Sequence, residues 1–513
     1  MDDIEKRNPN TNEGYQPMHK KDGRINHFIK LLEEKGYIVQ EGSLQYIDIL
    51  KLVSEGKSST ALGNIVGAPY ATYLLPPAPN QMPSPGQRPP KGYNPDNPHN
   101  YPPNLDFIKP GLHYKLRPDE AIVLIGQTPP PSVYFCFRSY LALVENKPEK
   151  DYRDAVTAGD RRTGFYHFIG ASLGDQINNY SIWTANTPFG TPGEPFDTTT
   201  IIITTANKRI NQHMRNALQD SGFCPDIINN DNIPIDLVNM GLEKGKDHFS
   251  FVMRANIFED PDVGWDYIYN IAQYFTVLRI TPKKPYPPAH PWPIPALKTK
   301  ETGTNEFQAI PTARNTLDYL RKQIISKYKS PEYDAIDLDF NLAILDNYEG
   351  ILQDVNVWID NRDTVYVKTE SFKLATDDDF IIVYGVNNTQ TEFATFINVS
   401  LYGAELWNGV AGTVFTDELQ YSADEYFPAC DKNSRYYYVV KMARRATERN
   451  DIIIPYSTGN PQGSAYGVDN NQKLFLVIRM YLNQKTKVAA APFDIIWGHA
   501  ILFTKKKRHH LDY

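Results

Sequence analysis

Cysteine, positive net charge and long apolar runs are all scarce in this sequence, and each shortage removes a class of protein. Three cysteines, Cys136, Cys224 and Cys430, are spread over 513 residues. An odd number at wide spacing builds neither a disulfide framework nor a CxxC redox or metal pair, and it suits a reducing cytoplasm. The net charge of −7 leaves no basic footprint for nucleic acid and no attraction to an anionic membrane surface. The longest apolar stretches, such as AIVLIG and DIIIP, fall far short of the roughly 20 residues that cross a bilayer. The polar N-terminal lead holds no signal-peptide core. The expectation is a soluble, cytoplasmic chain that partners neither nucleic acid nor membrane.

Chemical motifs are equally sparse. The eleven histidines include no HExxH and no Cys/His cluster at ligand spacing, so no metal site is expected. No GxxxxGK[ST] and no strand-linked GxGxxG occurs, which removes the familiar nucleotide loops and leaves no cofactor in view. The acidic runs YDAIDLDFN, with Asp334, Asp337 and Asp339, and Asp377 to Asp379 lack the remaining pattern of a calcium loop and read as solvated loops.

Proline, 39 residues, and tyrosine, 33 residues, abound instead, which points to long loops and amphipathic aromatic surface. From Pro76 to Pro110, 12 of 35 residues are proline, a density that no helix or central strand tolerates. The stretch reads as a strap over the surface, and a second proline-rich segment runs from Thr281 to Pro295.

Before the first strap, Ile25, Phe28, Ile29 and Leu32 share one helical face, as do Leu44, Ile47, Leu50 and Val53, predicting a helical hairpin. After it come strands: AIVLIG, continuously apolar as a strand buried on both faces would be, then VYFCFRSYLALV and FYHFIGAS. TTTIIITTA, the helical NKRINQHMRNALQDSGF and DIINNDNIP spell a β-α-β crossover. TARNTLDYLRKQIISKY predicts another helix, with Leu317, Leu320, Ile324 and Tyr328 aligned, and strands then return until the basic tail KKKRHHLDY. The fold class is α+β. It divides into a polar lead and helical hairpin (1–75), a proline-rich strap (76–110), a β-rich unit (111–282), a proline-rich linker with a helical segment (283–369) and a second β-rich unit with the basic tail (370–513).

The two β-rich units read as distantly related copies. DEAIVLIG matches DDFIIVYG, with Asp119 and Asp378, Ile122 and Ile381, and Gly126 and Gly385 identical. Tyr134 and Phe393 each open the next strand. TIIITTA ending at Ala206 matches YYVVKMA ending at Ala443, FVMRANI matches LVIRMYL, and VLRIT matches ILFT. Five blocks recur in one order. Side chains alternate along a strand, so Phe249, Phe251, Met253, Ala255 and Ile257 form an apolar face, matched by Leu474, Leu476, Ile478, Met480 and Leu482. Arg254 and Arg479 fall on the opposite faces. A guanidinium there needs a carboxylate, carbonyls or an anionic ligand; Asp119 and Asp378 are the first candidates for pairing, and ligand binding by Arg254 and Arg479 is the alternative.

GASLG satisfies G-x-S-x-G after an apolar segment, a pattern that exposes a nucleophilic serine at a strand-to-helix turn. Ser172 is then the candidate nucleophile, with Asp226 or Asp231 as acid and His248 as base in chain order. The segment DQINNYSIW that follows is a poor helix, which favours an ordinary tight turn.

Two function classes remain. The first is a protein handling a small anionic organic ligand in a groove between the β-rich repeats, with a Ser172-dependent hydrolase as its sharpest version. The second is a structural, self-associating protein with tyrosine- and proline-rich contacts between subunits.

Overall fold

The computed structural model describes residues 22–506 apart from 62–63, 80, 82–111, 154, 162, 287–289, 344–345, 415–417 and 449. Most of the proline-rich strap, with Tyr93 and Tyr101, and the basic tail beyond residue 506 lie outside the described residues.

The first half holds α1 (Gly23–Glu34), β1 (Tyr37–Ile47), α2 (Ile49–Ser54), β2 (Tyr70–Leu74), β3 (Ala121–Gln127), β4 (Ser132–Glu145), β5 (Thr157–Asp160), β6 (Gly164–Ser172), β7 (Ile177–Asn178), β8 (Thr199–Thr205), α3 (Lys208–Asp220), β9 (Ile228–Asn232), β10 (His248–Phe258), α4 (Pro261–Tyr269), α5 (Ile271–Tyr274) and β11 (Phe275–Pro282). The second holds α6 (Glu306–Ala309), α7 (Ala313–Tyr328), β12 (Tyr333–Leu338), β13 (Phe340–Leu342), α8 (Asn347–Gln353), β14 (Thr364–Thr369), β15 (Phe380–Val386), β16 (Phe396–Gly403), β17 (Asn408–Gly412), β18 (Tyr437–Ala443), β19 (Ile452–Ile453), β20 (Leu474–Tyr481) and β21 (His499–Lys505). Helices and sheets together make a mixed α+β protein.

Each half layers one sheet on another. In the first, β1–β11–β3–β8–β9 faces β6–β4–β10–β2–β1, with β1 bending so that residues 37–42 serve one sheet and 43–47 the other. Gly42 sits at the bend, where a Cβ would come within 2.7 Å of Leu75 and 2.9 Å of the Leu74 carbonyl. In the second, β12–β21–β15–β18–β19 faces β17–β16–β20–β14–β13. One pair in each half is parallel, β8 with β9 and β18 with β19.

The sequence periods explain most of this. Phe249, Phe251, Met253 and Ala255 of β10 meet Ile122 and Leu124 of β3 in the first inter-sheet core; Leu474, Leu476, Ile478 and Met480 of β20 meet Ile381 and Val383 of β15 in the second. The other face of β3 packs against α1 and α3, so this strand is buried on both sides. Likewise Leu317, Leu320 and Ile324 of α7 cover the outer face of β15 and β21. The β8–α3–β9 crossover forms as its pattern implies, with Asn207 capping α3 by accepting from the N–H groups of Arg209 and Ile210.

Four expectations are corrected. The second helix of the N-terminal hairpin forms only in its latter half, as α2 with Leu50 and Val53: Leu44 and Ile47 belong to β1, where pairing with β2 outweighs the helical spacing. Ile257 and Leu482 leave the core faces, because both adopt left-handed backbone conformations at φ 55° and 47° and turn toward a cluster between the halves. Ile122 pairs with Thr204 whereas Ile381 pairs with Met442, so the match of Ala206 to Ala443 is displaced by one residue. Tyr134 pairs with Asn256 at the position where Phe396, not Phe393, pairs with Tyr481.

Candidate functional site

The outer faces of β4–β10–β2 and β16–β20–β14 confront one another. At the contact Tyr134, Phe396 and Tyr481 cluster, with ring centroids 4.2 to 6.0 Å apart. Beside them opens a cavity of about 660 Å³ lined from both halves.

Arg254 and Arg479 line this cavity together. Arg254 stands on β10 opposite Tyr70 of β2 and Cys136 of β4; Arg479 stands on β20 opposite Tyr366 of β14 and Asn398 of β16. Each guanidinium lies between two tyrosine rings. Arg254 is 5.9 Å from the Tyr70 centroid and 5.4 Å from that of Tyr140, and Arg479 is 5.6 Å from Tyr366 and 5.2 Å from Tyr402. Such contacts favour the cation, the more so where water is excluded. Burial pushes the hydroxyls of Tyr140, Tyr366 and Tyr402 up, so these rings stay neutral and supply no formal counter-charge.

The expected carboxylate partners are elsewhere. Asp119 pairs with Arg117 at 2.6 Å and Asp378 with Lys505 at 2.6 Å, because both precede strands of the opposite sheet in their halves. Arg254 instead donates Nη1 to the Tyr140 hydroxyl at 2.7 Å and Nη2 to the Ile359 carbonyl at 2.6 Å. Arg479 donates to Asn398 Oδ1 at 3.4 Å. Among the described residues the cavity lining includes Lys57 and Lys368 and no Asp or Glu. Its His113 is driven down to about 4 by burial and is neutral near pH 7.

The irregular connection between β13 and β14 reaches this site. Trp358 and Ile359 have φ of 56°, a conformation that is costly for a large side chain and for a β-branched one above all. Trp358 stacks on Trp407 of the second half, 4.2 Å between centroids and 9° between planes; Trp407 is itself left-handed at φ 54°. Next in the chain, Asp360 accepts from the Ser172 N–H at 2.6 Å and from its Oγ at 2.8 Å, and the Asp360 carbonyl accepts from Tyr140 at 2.9 Å. Burial pushes the Asp360 carboxyl up to about 6, although the Ser172 bonds and the Arg254 charge pull it down.

Ser172, Asp226 and His248 are not brought together by hydrogen bonds. The Ser172 side chain is buried and its partner is the Asp360 carboxylate. His248 opens β10 with neither ring nitrogen hydrogen-bonded, its ring edge-on to Tyr166 at 4.7 Å. Asp226 lies in the turn before β9. The alternative acid, Asp231, pairs with Arg138 at 3.2 Å. The glycines of the G-x-S-x-G match have other work. A Cβ on Gly170, at φ 62°, would lie 2.7 Å from the Ile359 nitrogen, and one on Gly174, at φ 144°, 2.5 Å from the Arg138 guanidinium. Both serve close approach.

The second half contains a counterpart of this network. Tyr140 pairs across the sheet with Ser172, and Tyr402 with Gly409. Asn64, from the connection between β1 and β2, accepts from the Gly409 N–H through Oδ1 at 2.8 Å, while its carbonyl accepts from the Tyr402 hydroxyl. Asp360 and Asn64 thus each cross to the opposite half, where a side-chain oxygen accepts from a backbone N–H and the carbonyl accepts from a tyrosine hydroxyl. Asn64, Asp360, Trp358 and Trp407 were all missed in the sequence; a dense polar run after a tryptophan, WIDNRD, was the available signal.

No family model and no curated protein sequence matches the chain. Among solved structures it is similar to the VPA0106 protein from Vibrio parahaemolyticus, at 10% identity over 77% of this chain and 88% of that one with a TM-score of 0.31. It is also similar to an uncharacterized protein from Burkholderia cenocepacia, at 8% identity over 94% and 86% with a TM-score of 0.33. Similarity at this level assigns no function. No described helix is long and apolar enough to cross a membrane.

Proposed function

We propose that this chain binds a small anionic organic molecule in the cavity between two duplicated units, each a helix followed by a two-sheet sandwich, spanning about residues 22–286 and 306–506. The duplication is supported by the matching pairing orders and by register equivalences that hold strand after strand: Tyr37 with Tyr333, Tyr70 with Tyr366, Tyr140 with Tyr402 and Arg254 with Arg479. The left-handed residues Ile257 and Leu482 fall on one another in the same alignment.

The observation that carries the binding reading is the pair of buried guanidinium groups facing one cavity whose described lining holds no carboxylate. Burying a guanidinium is costly, and an anionic ligand offsets that cost with short charge-assisted bonds. The apolar and aromatic walls suit an organic body rather than an inorganic ion, and the volume lies in the range of small-molecule sites. Catalysis through Ser172 has less support, since its hydroxyl meets a carboxylate and its counterpart in the second unit is Gly409.

The test is equilibrium titration with 8-anilinonaphthalene-1-sulfonate against its uncharged relative N-phenyl-1-naphthylamine. The sulfonate binds the wild-type protein more tightly, and Arg254→Met weakens it about tenfold or more while the circular dichroism spectrum is kept. Equal binding of both dyes, unchanged in Arg254→Met, refutes an anion site.

A further inference from the structure

We infer that the Tyr481 hydroxyl donates a hydrogen bond to the ligand, which makes the ligand's anionic group an oxygen acid, a carboxylate, sulfonate or phosphate with one oxygen accepting from Tyr481. This rests on the anion-binding reading above and adds to it a specificity-determining residue that carries no charge.

Among the described residues, two side chains of the cavity lining hold a buried polar atom without a hydrogen-bond partner, Tyr481 Oη and His113 Nδ1. Their surroundings differ. His113 stands 6.3 Å from the Phe168 ring, and burial alone drives its value down. Tyr481 is two residues from Arg479 on β20, hence on the same strand face, and its hydroxyl feels the charges of both Arg479 and Arg254. Tyr481 is therefore the unpartnered group at the charged end of the cavity.

The ring is held where it is. It stacks on Phe396, 4.2 Å between centroids and 10° between planes, and packs against Tyr134 at 5.2 Å. With Tyr481 only 1% exposed, bulk water does not serve its hydroxyl, and a buried donor left unpaired is costly. Burial keeps the hydroxyl protonated against the pull of the two arginines, so it offers an O–H, and the acceptor that suits an O–H beside two cations is an anionic oxygen. Packing alone is served equally well by phenylalanine. Under the proposed duplication the counterpart of Tyr481 is Asn256, opposite Tyr134 as Tyr481 is opposite Phe396, so the frame does not call for a tyrosine there.

The experiment titrates the wild-type protein and Tyr481→Phe with 8-anilinonaphthalene-1-sulfonate and with N-phenyl-1-naphthylamine. The substitution keeps the ring and its stacking and removes one oxygen. Affinity for the sulfonate is expected to fall about tenfold while affinity for the uncharged amine stays within about twofold. The melting temperature of the ligand-free protein is expected not to fall, because that oxygen has no protein partner to lose. Sulfonate binding that is unchanged in Tyr481→Phe but weakened in Arg254→Met overturns the role of Tyr481 and leaves the anion site standing. Sulfonate binding unchanged in both variants overturns both readings. A lowered melting temperature with sulfonate binding kept assigns the hydroxyl to the fold and overturns the inference. Where Tyr481→Phe fails to fold, a crystal of the wild-type protein with a brominated aromatic carboxylate decides: a carboxylate oxygen about 2.7 Å from Tyr481 Oη upholds the inference, and a carboxylate held by an arginine beyond hydrogen-bond reach of that hydroxyl overturns it.

Discussion

Under the proposed duplication Asp360 and Asn64 occupy corresponding places in the two units, and the difference between them shows what the frame requires and what has been added to it. Both arrive on the connection preceding a central strand, both accept from the backbone N–H of the residue opposite a tyrosine, and both offer their carbonyl to that tyrosine. The frame needs an acceptor side chain and nothing more, for which a neutral amide suffices. In the first unit the acceptor is a carboxylate, its second oxygen takes the Ser172 hydroxyl, and its charge lies near Arg254. The first-unit site is therefore the more polar and the more demanding to bury.

The largest effect expected from this difference is on stability. Asp360→Ala removes two buried hydrogen bonds and a charge near Arg254 and is expected to lower unfolding free energy by about 3 kcal/mol. Asn64→Ala removes one side-chain bond and is expected to cost about 1 kcal/mol. Urea denaturation of the two variants measures the gap; equal losses break the comparison.

Next in size is a contrast between two glycines at the ends of corresponding strands. A Cβ on Gly126 would lie 2.1 Å from the Phe275 ring and 2.4 Å from the Tyr274 carbonyl, and one on Gly385 would lie 2.9 Å from Gly498 Cα and 3.0 Å from the Tyr438 ring. Alanine at either position overpacks the sandwich, by about 3 kcal/mol at 126 and about 1 kcal/mol at 385. Thermal melts of Gly126→Ala and Gly385→Ala rank the two.

The pH dependence is smaller and has a definite sign. Burial raises the folded carboxyl of Asp360 to about 6, above its value of about 3.9 in the unfolded chain. The folded state therefore holds the extra proton between those values, and the contribution of this group to stability is full below pH 4 and is lost as pH rises through 6. Asp360→Asn removes that slope and makes the first site resemble the second. His113, pushed down to about 4, works in the opposite sense, so the quantity to measure is the difference between wild type and variant from pH 4 to 7, expected to change by about 2 kcal/mol or less. A pH-independent difference contradicts the assignment.

The smallest effect belongs to Ser172→Gly, which copies the Gly409 arrangement. It removes one hydroxyl bond and is expected to cost about 1–2 kcal/mol. A fluorophosphonate that labels the wild-type protein at Ser172 would restore the hydrolase reading.

Much of the frame was legible in the sequence because it is written in side-chain periods. The apolar alternation of β10 and β20 put Arg254 and Arg479 on the faces opposite the cores, and the 3.6-residue spacing located α3 and α7. Strand register was less legible: β8 is a run of Ile and Thr and β18 opens on Tyr and Val pairs, which slide by one residue at little change in apparent similarity, and a slip of one exchanges the faces. Residues 43–47 misled because they carry apolar residues in helical step with α2, and only pairing with β2 decides against a helix there. The Asp360 and Asn64 networks were illegible for a different reason. They sit in irregular connections without any period, and their roles exist only through contacts with the other unit.

The central claim is that Arg254 and Arg479 together form an anion site between the units. A crystal structure grown with a brominated aromatic carboxylate tests it directly through the anomalous signal of bromine. The account predicts a bromine peak inside the cavity, with the carboxylate on Arg254 or Arg479; a cavity filled by the protein's own side chains, with bromine only on the outer surface, would contradict it.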